Sequence, residues 1–201
     1  MRDGGNRRFL CVQLPEPLAQ DTETYRRGFR TIADIGKGRI RRVIKQMQKE
    51  AKDKLDFHDK EQLEQLGFKV FKLKESHFRR WSGIEEKDSK EWANQMELFI
   101  DPLLPGWDTL NVIYEVALKE GYSLTSHIEQ LSPKKVKTNI VYRVIDEDRD
   151  QSFFICLDDK VKAATSNALG LCREDIFICR DIALTDEIAA NLALQCRFKT
   201  F

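Results

Sequence analysis

A polar corner ends an almost wholly apolar run near the start of the chain. The run RFLCVQL is followed by a Pro-Glu-Pro sequence, so Gln13 and Glu16 flank its end. In open α/β sheets, ligands bind outside the carboxyl ends of strands, where an acidic residue commonly accepts hydrogen bonds from ribose hydroxyls. The corner is therefore a candidate small-molecule site, although a Pro-Glu-Pro at a strand end is more often just a turn. No G-x-G-x-x-G sequence and no P-loop accompanies it.

A basic segment is the second candidate. Eleven Lys or Arg residues lie within 26–54, against three acidic residues. Arg39, Arg41 and Arg42 form its densest part, and such side chains supply most of the non-specific affinity of proteins for nucleic acid. The alternative is a solvated helix face that pairs with acidic neighbours. Two acidic clusters elsewhere bring the net charge of the chain to only +1, so the charge is polarised along the sequence.

The sequence offers no constellation typical of hydrolytic or nucleophilic catalysis. Its three histidines are far apart and show no HxxxH pattern. Its five cysteines have no CxxC spacing, and most stand in apolar, strand-like runs, which favours buried free thiols over a metal or redox site. We predict neither a catalytic residue nor a metal site.

Hydrophobic periodicity predicts the elements that position the two candidate sites. The run at 8–14 is typical of a strand that is covered on both faces. Thr31 can cap a long helix in which apolar residues recur every three to five positions as far as Leu55. The sequence GFKVFKL, at 67–73, is typical of another strand. Strand, helix and strand make a βαβ unit, which predicts part of a doubly wound α/β sheet.

The middle of the chain is predicted to be helical. One helix is expected near 90–100, and a second is expected to begin after Asp108 and to end at Gly121. A third helical stretch is predicted at 125–131.

The last third returns to an α/β pattern. Strands are predicted at 138–145 and 152–157, joined as a hairpin by the acidic turn DEDRDQ. A helix, a strand at 175–180 and a helix capped by Thr185 are expected to follow, and CRFKTF is expected to close the chain as a strand.

These patterns divide the chain into a sheet portion at 1–75, a helical segment at 76–135 and a small α/β portion at 136–201. No run approaches the roughly 18 apolar residues that span a bilayer, and no signal region stands at the N-terminus. We therefore expect a cytoplasmic protein with no membrane partner.

Four segments together resemble one protein family. In order, they are GGNRRFLCVQLPEP, GFRTIADIGKGRIRRVIKQ, LGFKVFKL followed by SHFRRW, and NLALQCRFKTF. They are similar to the C-terminal part of the modification subunit of type III restriction-modification systems. That subunit is a site-specific adenine DNA methyltransferase of the β class, which uses S-adenosylmethionine. The resemblance is strongest over residues 4–81 and at the C-terminal end.

The order of parts in that family implies what this sequence contains. In the family, a catalytic Asp-Pro-Pro-Tyr motif, a target-recognition region and a Phe-x-Gly-x-Gly cofactor loop precede the strand that resembles RRFLCVQLPE. Neither motif occurs here. The implied fold is α/β, with a partial doubly wound, Rossmann-like methyltransferase sheet, then a helical segment and a small C-terminal α/β portion.

The resemblance carries over to few residues. It implies that Glu16, with Gln13 second, contacts the ribose of S-adenosylmethionine. It places Arg39, Arg41 and Arg42 on the following helix, with a structural or DNA-backbone role. Gly38 stands where the family usually has an acidic residue.

The implied function is that of a C-terminal fragment of an adenine-specific DNA methyltransferase. It is expected to be inactive alone, because adenine methylation needs the flipped base to be held by the Asp-Pro-Pro-Tyr motif. The implied partners are DNA, a second copy or a missing N-terminal methyltransferase part, and a restriction subunit. The apolar face near 110–118 is the expected interface. The alternative is a non-enzymatic DNA-binding or assembly module that acts with a methyltransferase or restriction partner.

Overall fold

The computed structural model describes residues 9–52, 66–81, 89–131 and 138–201. The chain divides into two compact units, Met1–Val70 and Phe71–Phe201. Within the described residues, the first unit contains the helices α1 (Glu23–Arg26) and α2 (Ile32–Lys52). The second contains helices α3 (Ser89–Leu98), α4 (Thr109–Lys119), α5 (Ala163–Leu169) and α6 (Asp186–Gln195) and a 3₁₀ turn at Asp181–Ala183. It also contains strands β1 (His127–Gln130), β2 (Val141–Asp146), β3 (Gln151–Cys156), β4 (Ile176–Cys179) and β5 (Arg197–Thr200).

A five-stranded mixed sheet organises the second unit. Its strands lie in the order of the sequence, β1 to β5. The first three strands are antiparallel neighbours, whereas β4 runs parallel to β3, and β5 runs parallel to β4. The two parallel pairs are connected through α5 and α6, as parallel neighbours require a crossover. The α/β class predicted from the sequence is confirmed.

The two faces of the sheet form two hydrophobic cores. Side chains alternate between the faces along each strand. Phe153 and Ile155 therefore pack with the buried face of α4, whereas Phe177 and Cys179 pack with Leu192 of α6. Helices thus cover both faces, and most residues of the three middle strands are buried or partly buried.

Local sequence signals define the helices of this unit well. Asp108 caps α4 by accepting the amide hydrogen of Asn111 (3.0 Å), and Gly121 follows with φ of +84°. Thr185 caps α6 by accepting the amide hydrogen of Ile188 (3.4 Å). The predicted hairpin, the two later helices and the last two strands are also present, so the pattern of the last third is confirmed.

The predicted strands at 8–14 and 67–73 are not formed in the described residues. Residues 9–16 and 66–73 belong to no strand. Phe9 is 73% exposed and Val12 is 87% exposed. A strand is stable only when neighbours pair with its backbone and cover its apolar side chains, and the described residues supply no such neighbour to either segment. The βαβ prediction is therefore wrong for this chain as it stands.

The predicted third helix is also wrong. Residues 127–130 form β1, which pairs antiparallel with β2 in the register His127↔Ile145. Ile128 packs against one core and Leu131 against the other, as residues on opposite faces of an extended segment do. Pairing with the sheet edge therefore overrides a weak helical pattern.

Candidate nucleic-acid interface and cofactor corner

The predicted cofactor corner lies against the start of α2. The amide of Ile32 donates to the carbonyl oxygen of Glu16 (3.1 Å), and the amide of Leu18 donates to that of Arg30 (2.9 Å). Pro17 and Thr31 form an isolated antiparallel bridge between these bonds. The structure therefore brings the corner and the beginning of the basic helix together.

The side chains of the corner face solvent. Glu16 is exposed, and the Gln13 side chain, which is also exposed, donates from Nε2 to the carbonyl oxygen of Leu14 (3.2 Å). Both side chains are therefore accessible to a ligand. To bind a ligand through Nε2, Gln13 would give up its hydrogen bond to Leu14.

A reciprocal cap fixes the first turn of α2. The Thr31 hydroxyl accepts the amide hydrogen of Asp34 (3.2 Å), and Asp34 Oδ2 accepts the amide hydrogens of Thr31 (3.1 Å) and Arg30 (3.2 Å). This is the capping-box arrangement with aspartate as the acidic residue. Lys37 lies 2.7 Å from Asp34. Its hydrogen bond, followed by that of Thr31, holds the pKa of Asp34 well below its usual value.

The predicted DNA-contacting arginines lie on the exposed side of α2. Arg39, Arg41 and Arg42 are all exposed, as are the nearby Lys45 and Lys49. Within the residues that the structure describes, no carboxylate lies within ion-pair distance of these five side chains. At 3.6 residues per turn they share one side of a helix that is about 30 Å long. The structure therefore contains a continuous basic face with no described acidic partner.

The opposite side of α2 is apolar and only partly covered. Ile40, Ile44 and Met47 are partly buried, and Val43 is 49% exposed. Amphipathic patterning of this kind predicts that the apolar side faces other protein and leaves the basic side to solvent or a polyanion.

Aromatic rings touch α2 at two positions. The guanidinium of Arg41 lies 5.5 Å from the centre of the Phe68 ring, within cation–π range. At Gly38, an added Cβ would lie 2.8 Å from Cε1 of Phe29. Any side chain at that position would therefore displace the Phe29 ring.

A cleft in the second unit was not found from the sequence. Its volume is about 470 Å³, and it is lined by Glu75, Ser76, Phe78, Arg79, Arg80, Gln95, Leu98, Phe99 and Leu104. The segment SHFRRW contributed only to the family resemblance. In the sequence, the signal for this cleft was two adjacent arginines between aromatic residues. Their approach to α3 depends on tertiary packing.

A buried arginine marks the carboxyl end of β4. Arg180 is 5% exposed, and its guanidinium contacts Asp101 (2.7 Å) and Asp159 (2.5 Å) and lies 5.9 Å from the Trp107 ring. These contacts fix three separate segments beside the sheet. Because both carboxylates are already paired with Arg180, we assign this cluster to stability.

The prediction of buried thiols holds for Cys156, Cys179 and Cys196, whereas Cys11 and Cys172 are exposed. Burial raises the pKa of Cys156 to about 11 and that of Cys179 to about 12. Nucleophilic and metal-binding thiols need the opposite shift, since the thiolate is the reactive form. Among the described residues, no group of three or more His, Cys, Asp or Glu side chains is arranged to hold a metal ion.

Comparisons with protein-family models, with curated proteins and with solved structures find no match to this chain. The family resemblance therefore remains a prediction from the quoted segments. In the described part of the chain, no helix combines the length and the apolar character needed to cross a membrane. The cytoplasmic location likewise remains a prediction.

Proposed function

We propose that this chain is the C-terminal part of a site-specific adenine DNA methyltransferase of the type III modification kind. In this proposal, Glu16 and Gln13 contribute to the ribose side of an S-adenosylmethionine pocket, and α2 contacts the DNA backbone. The chain transfers no methyl group alone, because its sequence lacks the Asp-Pro-Pro-Tyr motif and the glycine loop.

One observation carries the proposal. The motifs GGNRRFLCVQLPEP and TIADIGKGRIRR are fairly specific together, and their described residues are joined by the Glu16–Ile32 hydrogen bond and the Pro17–Thr31 bridge. A cofactor-side corner that leads directly into a basic helix suits an enzyme that must place S-adenosylmethionine beside DNA. The exposure of Arg39 and Arg42, without a described carboxylate partner, supports the DNA-contacting role.

The proposal also accounts for the unpaired apolar segments. We infer that residues 9–14 and 67–73 become strands of a doubly wound methyltransferase sheet when the remaining strands of that sheet are supplied. The exposure of Phe9, Val12 and Leu73 is the reason for this inference, since an open sheet would bury such side chains.

A second candidate function is a non-enzymatic DNA-binding module. The exposed basic face of α2 favours this candidate as well. A DNA-binding module, however, requires no cofactor contact at Glu16. DNA binding without any S-adenosylmethionine binding, even when a polypeptide carrying the missing motifs is present, would favour this candidate over the first.

Duplex DNA binding tests the role of α2. Each lost phosphate contact lowers the slope of log K against log salt by about 0.9, which at 0.15 M salt corresponds to about 1 kcal/mol. The triple variant Arg39→Ala, Arg41→Ala, Arg42→Ala should therefore bind about 150-fold more weakly, and its slope should be about 2.7 lower. Fluorescence anisotropy with a labelled duplex at several salt concentrations measures both quantities.

A matched variant controls for the change in net charge. Lys160, Lys162 and Arg173 are exposed in the second unit, and their replacement by alanine removes the same charge without altering α2. This control should retain the affinity of the unmodified chain within about threefold. Equal losses in both triple variants would contradict a specific role for α2.

A further inference from the structure

The cleft between the segment at 75–80 and α3 has the dimensions of a ligand site. Its volume of about 470 Å³ lies within the range of about 300–1,000 Å³ that is usual for small-molecule pockets. All of its lining residues belong to the second unit.

Backbone and side-chain hydrogen bonds fix the wall that carries the arginines. The amide of Arg79 donates to the carbonyl oxygen of Pro102 (2.8 Å), and the amide of Leu104 donates to that of His77 (2.8 Å). The Glu115 carboxylate accepts hydrogen bonds from the Ser76 hydroxyl and from the amide of His77 (3.1 Å). Burial opposes ionisation of Glu115, but these hydrogen bonds and nearby Lys119 hold its pKa below the usual value. The wall is therefore preorganised.

Among the described lining residues of the cleft, the two arginines outnumber the one carboxylate. Its lining contains Arg79, Arg80 and Glu75. Arg80 is paired with Glu75 at 3.8 Å, and both side chains are more than 80% exposed (86% and 96%), so this pair contributes little and is easily exchanged. Arg79 has no ion pair within the described residues, and its Nε is buried without a hydrogen-bond partner. An anionic ligand in the cleft would give Arg79 the ion-pair partner that the described residues do not supply.

Aromatic rings stand next to these charges. Phe99 lines the cleft, and its ring centre lies 5.1 Å from that of Trp81, which in turn lies 5.6 Å from that of Trp92. Trp81 is 47% exposed and Trp92 is 46% exposed. Half-exposed indole rings beside arginines are the arrangement on which nucleobases stack while the guanidinium groups hold phosphate.

We propose that this cleft binds a nucleotide, with its phosphate on Arg79 and Arg80 and its base against the Trp81–Phe99 rings. The ligand chemistry is the same for a free nucleotide and for one nucleotide of a single strand. The residues that line the site belong to the second unit, whereas α2 belongs to the first, and the site can exist whether or not the chain belongs to a methyltransferase.

Anisotropy with a fluorescein-labelled 12-mer of deoxythymidine tests the phosphate contact in the full chain. Each lost contact to a single strand lowers the salt slope by about 0.7. The variant Arg79→Ala, Arg80→Ala should therefore bind about 25-fold more weakly at 0.1 M salt, with a slope about 1.4 lower. The matched control, Lys160→Ala, Arg173→Ala, should stay within about threefold. Trp81→Ala should lose about 5- to 150-fold through the missing stack.

A measurement on the unmodified chain keeps the test independent of variant folding. The deoxythymidine 12-mer should quench tryptophan fluorescence, whereas an abasic oligomer of the same length should quench it far less. Quenching by free dTMP at comparable concentration would identify a mononucleotide as the ligand, and quenching by the 12-mer alone would identify a strand.

Two results would overturn the proposal. One is equal quenching by the abasic and the thymidine oligomers. The other is unchanged 12-mer affinity in the Arg79, Arg80 variant while the Arg39, Arg41, Arg42 variant loses all binding. The second result would leave the proposed role of α2 intact, so the failures of the two proposals are distinguishable.

Discussion

Replacement of Asn139 should destabilise the second unit more than any nearby surface change. Asn139 is 9% exposed and lies just before β2. Its Nδ2 donates to Asp158 Oδ2 (2.8 Å) and to the carbonyl oxygen of Lys160 (2.7 Å). Its Oδ1 accepts from the amide of Lys162 (3.0 Å) and from the hydroxyl of Thr165 (2.5 Å). One amide group thus joins the start of β2, the loop after β3 and helix α5.

The magnitude follows from the groups that Asn139→Ala leaves unpaired. The Thr165 hydroxyl keeps its contact with Thr138 (2.8 Å), and the Asp158 carboxylate keeps the amide of Ile140 (2.9 Å). The Lys160 carbonyl and the Lys162 amide lose the only side-chain partner described for them. Asn139→Ala removes four hydrogen bonds that each contribute about 0.5–1.5 kcal/mol net, so we expect a loss of about 3–4 kcal/mol.

Thermal and urea unfolding, followed by circular dichroism, measure this loss. For a unit of this size, Tm should fall by about 10–15 °C. Asn167→Ala is the matched control, because Asn167 is exposed on α5 and no side-chain hydrogen bond is described for it. The control should lie within about 0.5 kcal/mol of the unmodified chain. The reasoning is refuted if Asn139→Ala unfolds within about 1 kcal/mol of that control.

Three further perturbations test other parts of the structure. The amide of Ser123 donates to buried Asp146 (3.0 Å) and, against the effect of burial, lowers the pKa of that carboxyl below 3.8. The ionised Asp146 carboxylate therefore stabilises the fold above pH 3.8, and this stabilisation is lost as the pH falls through the pKa of the folded state. The difference in Tm between the unmodified chain and Asp146→Asn should therefore narrow below pH 3.8. Thr31→Ala should weaken the first turn of α2 by about 1 kcal/mol, measured as faster amide exchange. Cys156 and Cys179 should react with a thiol reagent only on unfolding, whereas native labelling at either would contradict their assigned burial.

Signals carried by neighbouring residues allowed much of the second unit to be predicted. Asp108 and Thr185 each accept a hydrogen bond from an amide three residues later, so helix starts are encoded locally. The β-branched and aromatic residues of β2 and β3 are likewise a local signal, and the acidic turn between the two strands reinforces it. Such short-range patterns need no knowledge of the tertiary structure.

Features that depend on distant partners could not be predicted. The contact of Arg180 with Asp101 joins residues 79 positions apart, and no local sequence pattern predicts it. The strands expected at 8–14 and 67–73 failed for the same reason, because strand formation depends on neighbours and not on apolar content alone. At the candidate site, Glu16 and Arg39 could be proposed from the sequence because of their residue types. The cleft beside Arg79 required the fold.

Methyl transfer by a reconstituted complex tests the central claim most directly. The assay measures incorporation of labelled S-adenosylmethionine into duplex DNA by three samples: this chain alone, a type III modification polypeptide truncated after its glycine loop, and the two mixed. We predict incorporation only in the mixture, with a raised KM for S-adenosylmethionine when the chain carries Glu16→Gln and an unchanged KM with the exposed control Glu174→Gln. Incorporation by this chain alone, or none above background in a mixture that forms a complex, would contradict the account.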